Sequence, residues 1–270
     1  MLTTLISADD LTDRLKRGVP GIALLDCRAR LGEPDYGRRA YAQGHLPGAV
    51  FVDLDTDLAA PPGSAGRHPL PERAELAAKL KARGLNDADQ VVVYDDAGGA
   101  FAGRAWWCLR WLGHRAVALL DGGFAQWSGP LSTESVERPP GDFSLRAPLT
   151  RTIDAERLAA SMSLYSLVDA RARPRFEGRE EPIDPVAGHI PGAVCLPFQE
   201  NLGKDGRFLD AGKLASRFER LGADVVCYCG SGVTAAHNVL AMIIAGLDEP
   251  MLYPGSWSEW IVDPTRPRAP

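Results

Sequence analysis

Cys229 heads the segment of this sequence with the clearest chemical potential. Residues 225–228 form a short apolar run, VVCY, and residues 229–235 read CGSGVTA. A run of small apolar residues follows over 236–245, which indicates a helix. A buried strand that ends in a cysteine and leads through a glycine-rich turn into a helix aims backbone N–H groups at the sulfur, which stabilises a thiolate. A cysteine of the core is the alternative, but it leaves the two glycines of the turn unexplained.

This loop favours sulfur chemistry over phosphate chemistry. Cysteine-dependent phosphatases need an arginine that closes the loop around the phosphoryl oxygens, whereas the sixth residue after Cys229 is Ala235. We therefore expect Cys229 to attack the sulfur of a small donor, to become a persulfide and to pass the outer sulfur to an acceptor. The loop backbone is expected to cradle the persulfide. The residues of this cradle are Gly230, Ser231, Gly232, Val233 and Thr234.

An internal repeat divides the chain into two related halves. Four segments recur in the same order, which makes chance similarity improbable. The matched pairs are LDCRAR (25–30) with VDARAR (168–173), GHLPGAV (44–50) with GHIPGAV (188–194), VVVYD (91–95) with VVCYC (225–229), and DGGFAQW (121–127) with PGSWSEW (254–260). Asp95 stands where the second half has Cys229, so the first half is expected to be non-catalytic. It is expected to supply the opposite wall of a cleft between the domains.

Short apolar runs alternate with helix-like segments, which is typical of parallel α/β sheets. Strands are expected at 22–25, 50–52, 91–94 and 117–120, and again at 167–168, 194–196, 225–228 and 251–253. The clearest helix is Glu72–Arg83, with Pro71 at its start and Gly84 at its end. Its apolar residues with helical spacing are Leu76, Ala77 and Leu80.

The 270 residues suit two domains of ordinary size. A stretch rich in Pro, Ser and charge predicts a linker over 131–148, between a first domain over 1–130 and a second over 149–270. Residues 61–69, PPGSAGRHP, are predicted to form a surface loop of the first domain.

Composition bounds the partners and the compartment. A net charge of −5 without a basic block disfavours nucleic acid as a partner, and no apolar run is long enough to cross a membrane. The N-terminus does not have the pattern of a signal peptide. The five cysteines are an odd number without framework spacing, which predicts reduced thiols in the cytoplasm. No group of residues has metal-ligand spacing, so neither a metal nor another cofactor is expected.

Over nearly its whole length, the sequence resembles the tandem-domain rhodanese-type sulfurtransferases. The motifs that carry the resemblance are GHIPGA (188–193) and GSWSEW (255–260). The loop CGSGVTA resembles that of the 3-mercaptopyruvate sulfurtransferase branch, because thiosulfate-type members usually carry Arg and Lys where this chain has Gly230 and Ser231. The resemblance implies an α/β fold of two tandem rhodanese-like domains, each a mainly parallel sheet flanked by helices on both faces.

The resemblance also implies a catalytic relay to Ser231 from a histidine and an aspartate of the first domain. By motif position these are His45 and Asp35, although the spacing between the two is about one residue shorter than the family pattern. His189 occupies the place of His45 in the second repeat. A role for both histidines in supporting a turn is therefore the open alternative.

Arg175 matches the family position that grips the donor. A second family arginine would fall near Asp184, where this sequence is acidic. Arg179 lies four residues after Arg175, about one helical turn, and is the candidate for replacing it. Either arginine could instead be an ordinary solvated side chain.

Three functions follow from these observations. The first is a sulfurtransferase that moves sulfur from 3-mercaptopyruvate through a Cys229 persulfide to thioredoxin, glutathione or another thiol, or to cyanide. The second is a thiosulfate:cyanide sulfurtransferase. The third is a sulfur-relay module that receives persulfide from a partner protein and turns over small donors poorly.

Overall fold

The structure is a computed structural model that describes all 270 residues. It divides into two compact units. Unit 1 comprises Met1–Ala60, Pro71–Leu149 and Lys204–Arg207, and unit 2 comprises Pro61–Leu70, Thr150–Gly203 and Phe208–Pro270. Residues 131–148, which the sequence marks as a linker, belong to unit 1, and the loop at 61–70 belongs to unit 2 although it precedes most of unit 1 in the chain.

Unit 1 is built on a five-stranded sheet. Its elements are β1 (Leu5–Ile6), α1 (Ala8–Lys16), β2 (Ile22–Asp26), α2 (Tyr36–Gln43), β3 (Val50–Phe51), α3 (Arg73–Ala82), β4 (Gln90–Tyr94), α4 (Ala102–Trp111) and β5 (Val117–Leu120). The strand order is β1-β5-β4-β2-β3 and every pair is parallel. The central strands are apolar on both faces because helices cover them.

Unit 2 repeats this plan with four strands. Its elements are α5 (Ala155–Ser161), β6 (Ser166–Asp169), α6 (Arg173–Phe176), β7 (Val194–Cys195), α7 (Ala211–Phe218), β8 (Val225–Tyr228), α8 (Ala235–Ile244), β9 (Met251–Leu252) and α9 (Ser256–Trp260). The strand order is β7-β6-β8-β9, again parallel throughout. The predicted class, two α/β domains with parallel sheets flanked by helices, is confirmed.

Each unit has a core of its own. The core of unit 1 gathers residues from β2, β4 and β5, and that of unit 2 gathers residues from β6 and β8 together with Trp257 and Trp260 of α9. The eight expected strands are present with small shifts at their ends, and only the two-residue strand β1 was not expected. The predicted helix at 72–83 is α3, and Gly84 ends it with a φ of +85°. None of the helices has the length and apolar character needed to cross a membrane.

The repeated motifs build the same buried frame in each unit. In unit 1, Arg28 pairs with Asp26 at 2.6 Å and donates to the carbonyl of Gly44 at 2.7 Å. In unit 2, Arg171 pairs with Asp169 at 2.7 Å and donates to Gly188, also at 2.7 Å. The Asp-x-Arg and Gly-His-x-Pro-Gly motifs therefore tie β2 to the turn before β3 in unit 1, and β6 to the turn before β7 in unit 2. The strands β4 and β8 pair with β2 and β6 and end at Tyr94 and Tyr228. The loop that follows each of these two strands begins there.

Candidate active site

Cys229 lies directly after β8, at the mouth of the loop that leads into α8. Its sulfur accepts hydrogen bonds from the N–H of Gly232 at 3.1 Å and of Ser231 at 3.5 Å. Gly232 has a φ of +76°, and a Cβ at this position would lie 2.2 Å from the carbonyl oxygen of Pro254, so only glycine fits. The tight turn at Gly232 is thus what brings two amides against the sulfur. Of the five residues predicted to form the cradle, Ser231 and Gly232 donate their N–H groups to Sγ.

The first residues of α9 hydrogen-bond to the backbone of the Cys229 loop. The N–H of Cys229 donates to Oγ of Ser256 at 3.0 Å. The N–H groups of Trp257 and Ser258 donate to the carbonyls of Cys229 and Gly230 at 3.0 and 2.9 Å. Ser256 has a φ of +56° and is the one non-glycine residue with positive φ in the chain. Strain of this kind is kept where the surrounding structure demands it, and here it places a hydroxyl within hydrogen-bond distance of the N–H of Cys229.

The other four cysteines are unlike Cys229. All five are unpaired and buried. Burial raises the pKa of Cys195 to about 11, and it also raises the pKa values of Cys27, Cys108 and Cys227 above those of an ordinary thiol. These four side chains are therefore protonated thiols of the cores at neutral pH. Only Cys229 has loop amides directed at its sulfur.

A histidine contacts the loop serine. Oγ of Ser231 and Nδ1 of His68 are joined by a hydrogen bond of 2.7 Å, and both side chains are buried. His68 lies in the segment 61–70, which packs as part of unit 2. A buried serine–histidine pair can pass a proton to or from a reacting group beside the sulfur.

Two arginines lie over Gly230, the residue next to Cys229. A Cβ at Gly230 would be 2.9 Å from Nη2 of Arg67, and 3.4 and 3.5 Å from Nη1 and Nη2 of Arg175. Arg175 is anchored to Glu181 at 2.7 Å and to Asp184 at 3.0 Å, and Arg67 is also paired with Asp184. The loop sequence carries no cation, but the fold brings two guanidinium groups to it. Such a pair suits a donor that carries a carboxylate or another anionic group.

Comparison with known proteins agrees with this geometry. The family model described as the rhodanese-like domain matches residues 7–130 and 154–263. The chain belongs to the rhodanese family. A protein of Pseudomonas aeruginosa named "Probable 3-mercaptopyruvate sulfurtransferase" is 52% identical over 98% of this chain and 97% of its own length. A protein of Mycobacterium tuberculosis named "Putative thiosulfate sulfurtransferase SseB" is 44% identical over 97% of this chain and 95% of its own.

A solved structure gives the same result for the fold. The 3-mercaptopyruvate sulfurtransferase from Leishmania major superposes with a TM-score of 0.83 at 31% identity, and the match covers 96% of this chain and 74% of that one. The resemblance that the motifs indicate is therefore confirmed, and the chain is a tandem rhodanese-family protein.

Within this rhodanese-family chain, His45 has a different environment from the one expected. It is fully buried in unit 1, its Nδ1 is 2.9 Å from the carbonyl of Tyr41, and its ring stacks on Tyr41 with centroids 3.8 Å apart. His189 has the same surroundings in unit 2, with Phe176 as its stacking partner at 3.7 Å. The matching pair favours the turn-supporting alternative for both histidines. The hydrogen bond to Ser231 that was expected of His45 is made by His68.

Asp35 and Arg179 make none of the hydrogen bonds just described for the Cys229 loop. Asp35 is an exposed residue at the start of α2 in unit 1. Arg179 is paired with Glu177 and 65% of its side chain is exposed. The guanidinium group beside Arg175 is that of Arg67.

His68 and Arg67 are the site residues that the sequence does not mark. They lie in a stretch of Pro, Gly and Ser that has no periodicity and no counterpart in the repeat. The one available cue is length, because the connection from Phe51 to Arg73 is long for an α/β unit, and connections of that length are usually functional. Sequence spacing alone cannot show that this loop packs with the second unit.

Proposed function

We propose that this protein transfers sulfur from 3-mercaptopyruvate through a persulfide on Cys229 to a thiol acceptor or cyanide. The observation that carries the proposal is the meeting of three groups at one loop. They are a sulfur bonded by two backbone amides, a Ser231–His68 pair and two guanidinium groups over Gly230. A reaction with an anionic keto-thiol needs a stabilised sulfur nucleophile, a proton donor for the enolate and a site for the carboxylate. The three groups can supply these in that order. The name of the Pseudomonas relative supports the same donor.

The first half-reaction forms a sulfur–sulfur bond. The Cys229 thiolate attacks the donor sulfur, the donor C–S bond breaks, and its electron pair leaves with the carbon as pyruvate enolate. The proton of the donor thiol ends on pyruvate, so that the enzyme is left with a persulfide anion. The amides of Ser231 and Gly232, which already bond the sulfur, stabilise this anion before the acceptor arrives.

Ser231 and His68 protonate the enolate that leaves in this step. The enolate that leaves is a strong base, and its charge develops close to the loop that carries Ser231. The serine hydroxyl donates its proton to the enolate, and His68 replaces that proton by donating from Nδ1 to Oγ of Ser231. Burial of both side chains keeps bulk water from competing for that proton.

The second half-reaction returns the enzyme to its thiolate. An acceptor thiolate or cyanide attacks the outer sulfur, the sulfur–sulfur bond breaks, and its electron pair returns to Cys229. Separation into two half-reactions predicts ping-pong kinetics. We propose that glutathione or thioredoxin is the acceptor in a reducing, cytoplasm-like compartment, and the five unpaired thiols support that compartment.

Steady-state kinetics with both donors tests the proposal. We expect saturable formation of pyruvate from 3-mercaptopyruvate, and we expect Cys229→Ser to abolish it. Cys227→Ser is the matched control, because Cys227 is a buried thiol two residues away, and this variant should keep most of the activity. The absence of saturable turnover with any small donor would contradict the proposal and favour the relay module.

Thiosulfate is the second candidate donor. Two guanidinium groups beside the nucleophile suit a dianion as well as a carboxylate, and the Mycobacterium relative is named for thiosulfate. Asp184 and Glu181 balance these two cations, which lowers the attraction for a second negative charge. A kcat/KM for thiosulfate that exceeds that for mercaptopyruvate by about tenfold, or 1.4 kcal/mol in transition-state stabilisation, would make thiosulfate the donor.

A further inference from the structure

The family resemblance implies a second donor-binding arginine near position 184. In this chain that position is Asp184, so the second arginine is missing from the segment. We propose that Arg67 supplies the missing guanidinium from the segment 61–70, and that it binds the donor's anionic group as a pair with Arg175. This inference rests on the proposed function and identifies the specificity-determining contact of the same site.

Arg67 is held in place both at its backbone and at its guanidinium group. Its backbone N–H donates to Oγ of Ser258 at 3.0 Å, within the same α9 segment whose backbone holds the Cys229 loop. Its Nη1 is paired with Asp184, whose side chain is only 3% exposed. A long side chain that is tied at its backbone and at its tip loses little further entropy when it binds a ligand. Arg67 is therefore preorganised beside the nucleophile.

Asp184 acts as a spacer between the two arginines. Its carboxylate contacts Nη1 of Arg67 and Nη2 of Arg175, and Glu181 accepts hydrogen bonds from Nε and from the same Nη2 of Arg175. The N–H of Asp184 donates to the carboxylate of Glu181 at 3.0 Å, which fixes the position of one acidic residue relative to the other. The carboxylates thus occupy one side of each guanidinium group and leave the other side for a ligand.

The free edges of the two arginines converge on one point. Nη2 of Arg67 and Nη1 of Arg175 lie 2.9 and 3.4 Å from the place of a Cβ on Gly230, and neither nitrogen has a hydrogen bond within the chain. Because Gly230 has no side chain, a donor carboxylate can lie over its backbone, in reach of both nitrogens. It would receive one N–H from each arginine, one residue away from Cys229.

The chemical class of the ligand follows from the charge of the site. Two guanidinium groups and two carboxylates cancel, so the site offers directed N–H groups without a net positive field. Such a site favours a monoanion with two well-placed oxygens over a dianion. The carboxylate of a 2-keto acid has this form.

A charge-swap experiment tests the proposal. We expect Arg67→Ala to raise the KM for 3-mercaptopyruvate by about tenfold to a hundredfold with a much smaller change in kcat, because a charge-assisted hydrogen bond is lost in binding. Arg67→Asp and Asp184→Arg should each be more damaging, since each places like charges together. The double variant R67D/D184R should recover a KM within about tenfold of the wild type, because it restores both the ion pair and an arginine beside Arg175.

Controls separate this proposal from the function on which it rests. Arg173→Ala changes an exposed arginine on the same short helix as Arg175 and should leave the KM unchanged. Arg67→Lys keeps the charge and covers the case in which Arg67→Ala fails to fold; its KM should lie between those of the wild type and the alanine variant. An unchanged KM in Arg67→Ala or Arg67→Lys, or a double variant no better than the worse single variant, would overturn the proposal. Persulfide formation on Cys229 at saturating donor would still be observed in that case, so the proposed function would stand.

Discussion

The loops after β4 and β8 occupy equivalent places in the two repeats and hold opposite chemistry. In unit 1 the carboxylate of Asp95 accepts four backbone N–H groups, from Ala97, Gly99, Phe101 and Ala102, at 2.8–2.9 Å. In unit 2 the sulfur of Cys229 accepts two. The backbone N–H groups of the unit 1 loop are therefore already taken up by the side chain of Asp95. The unit 2 loop keeps its donors around an atom that can react.

The segments behind the two loops differ in a matching way. Gly123 in unit 1 has a φ of +62°, and the next residue, Phe124, donates its N–H to the carbonyl of Asp95 at 2.7 Å. Ser256 in unit 2 has a φ of +56°, and Trp257 donates to the carbonyl of Cys229. Glycine adopts this conformation without strain, whereas serine does not. The segment behind the Cys229 loop thus has a strained residue whose hydroxyl accepts the N–H of Cys229, and the segment behind the Asp95 loop does without it.

What the repeats share is their frame, and what they do not share is their chemistry. The Asp–Arg pairs and the histidines stacked on aromatic rings recur in both units. Arg67, His68 and Ser231 have no counterpart in the repeated motifs. A residue found in both copies is thus weak evidence for catalysis in a duplicated chain of which only one copy has the proposed nucleophile.

The largest expected effect is the complete loss of sulfur transfer when the cysteine is moved from position 229 to position 95. In a Cys229→Ser background, Asp95→Cys should restore no sulfur transfer, because a thiol in unit 1 lacks the serine–histidine pair and the two arginines found around Cys229. Turnover of 3-mercaptopyruvate by the double variant is the measurement, with Cys229→Ser alone as the baseline. Activity above that baseline would show that the loop alone suffices.

A smaller loss should distinguish the two histidines. We expect His68→Asn to lower kcat about a hundredfold or more, since it removes the proton-transfer partner of Ser231. His45→Asn should lower the melting temperature, because it removes a fully buried ring that packs on Tyr41, while kcat stays within about threefold. The reverse outcome would restore the relay expected from the sequence.

The smallest effect concerns the strained serine. Ser256→Gly relieves the backbone strain but leaves the N–H of Cys229 without its acceptor. We expect kcat to fall about threefold to tenfold, the size of one lost hydrogen bond, with thermal stability changed little because the two effects oppose each other. Ser256→Ala should lose stability as well, since the strain remains. Full activity in the glycine variant would remove Ser256 from the positioning of Cys229.

Sequence patterns reveal most of the fold and about half of the candidate site. The strands are recognisable because each is a short apolar run bounded by turn residues, and Cys229 is recognisable because two glycines follow it closely. Arg175 could be located by its motif. His68 and Arg67 could not, because their segment has no periodic pattern and its place in unit 2 depends on tertiary contacts alone. His45 lies in a conspicuous motif, and its contact with the carbonyl of Tyr41 matches that of His189 with the carbonyl of Phe176.

Peptide mass spectrometry after exposure to 3-mercaptopyruvate tests the central claim most directly, namely that one loop of the duplicated pair is the working site. Wild-type protein and the Asp95→Cys variant would be treated with donor, digested without reductant and compared. We predict one added sulfur on the Cys229 peptide in both proteins and none on the peptide that carries position 95. Sulfur on the position-95 peptide of the variant, or on Cys227 in the wild type, would contradict the account.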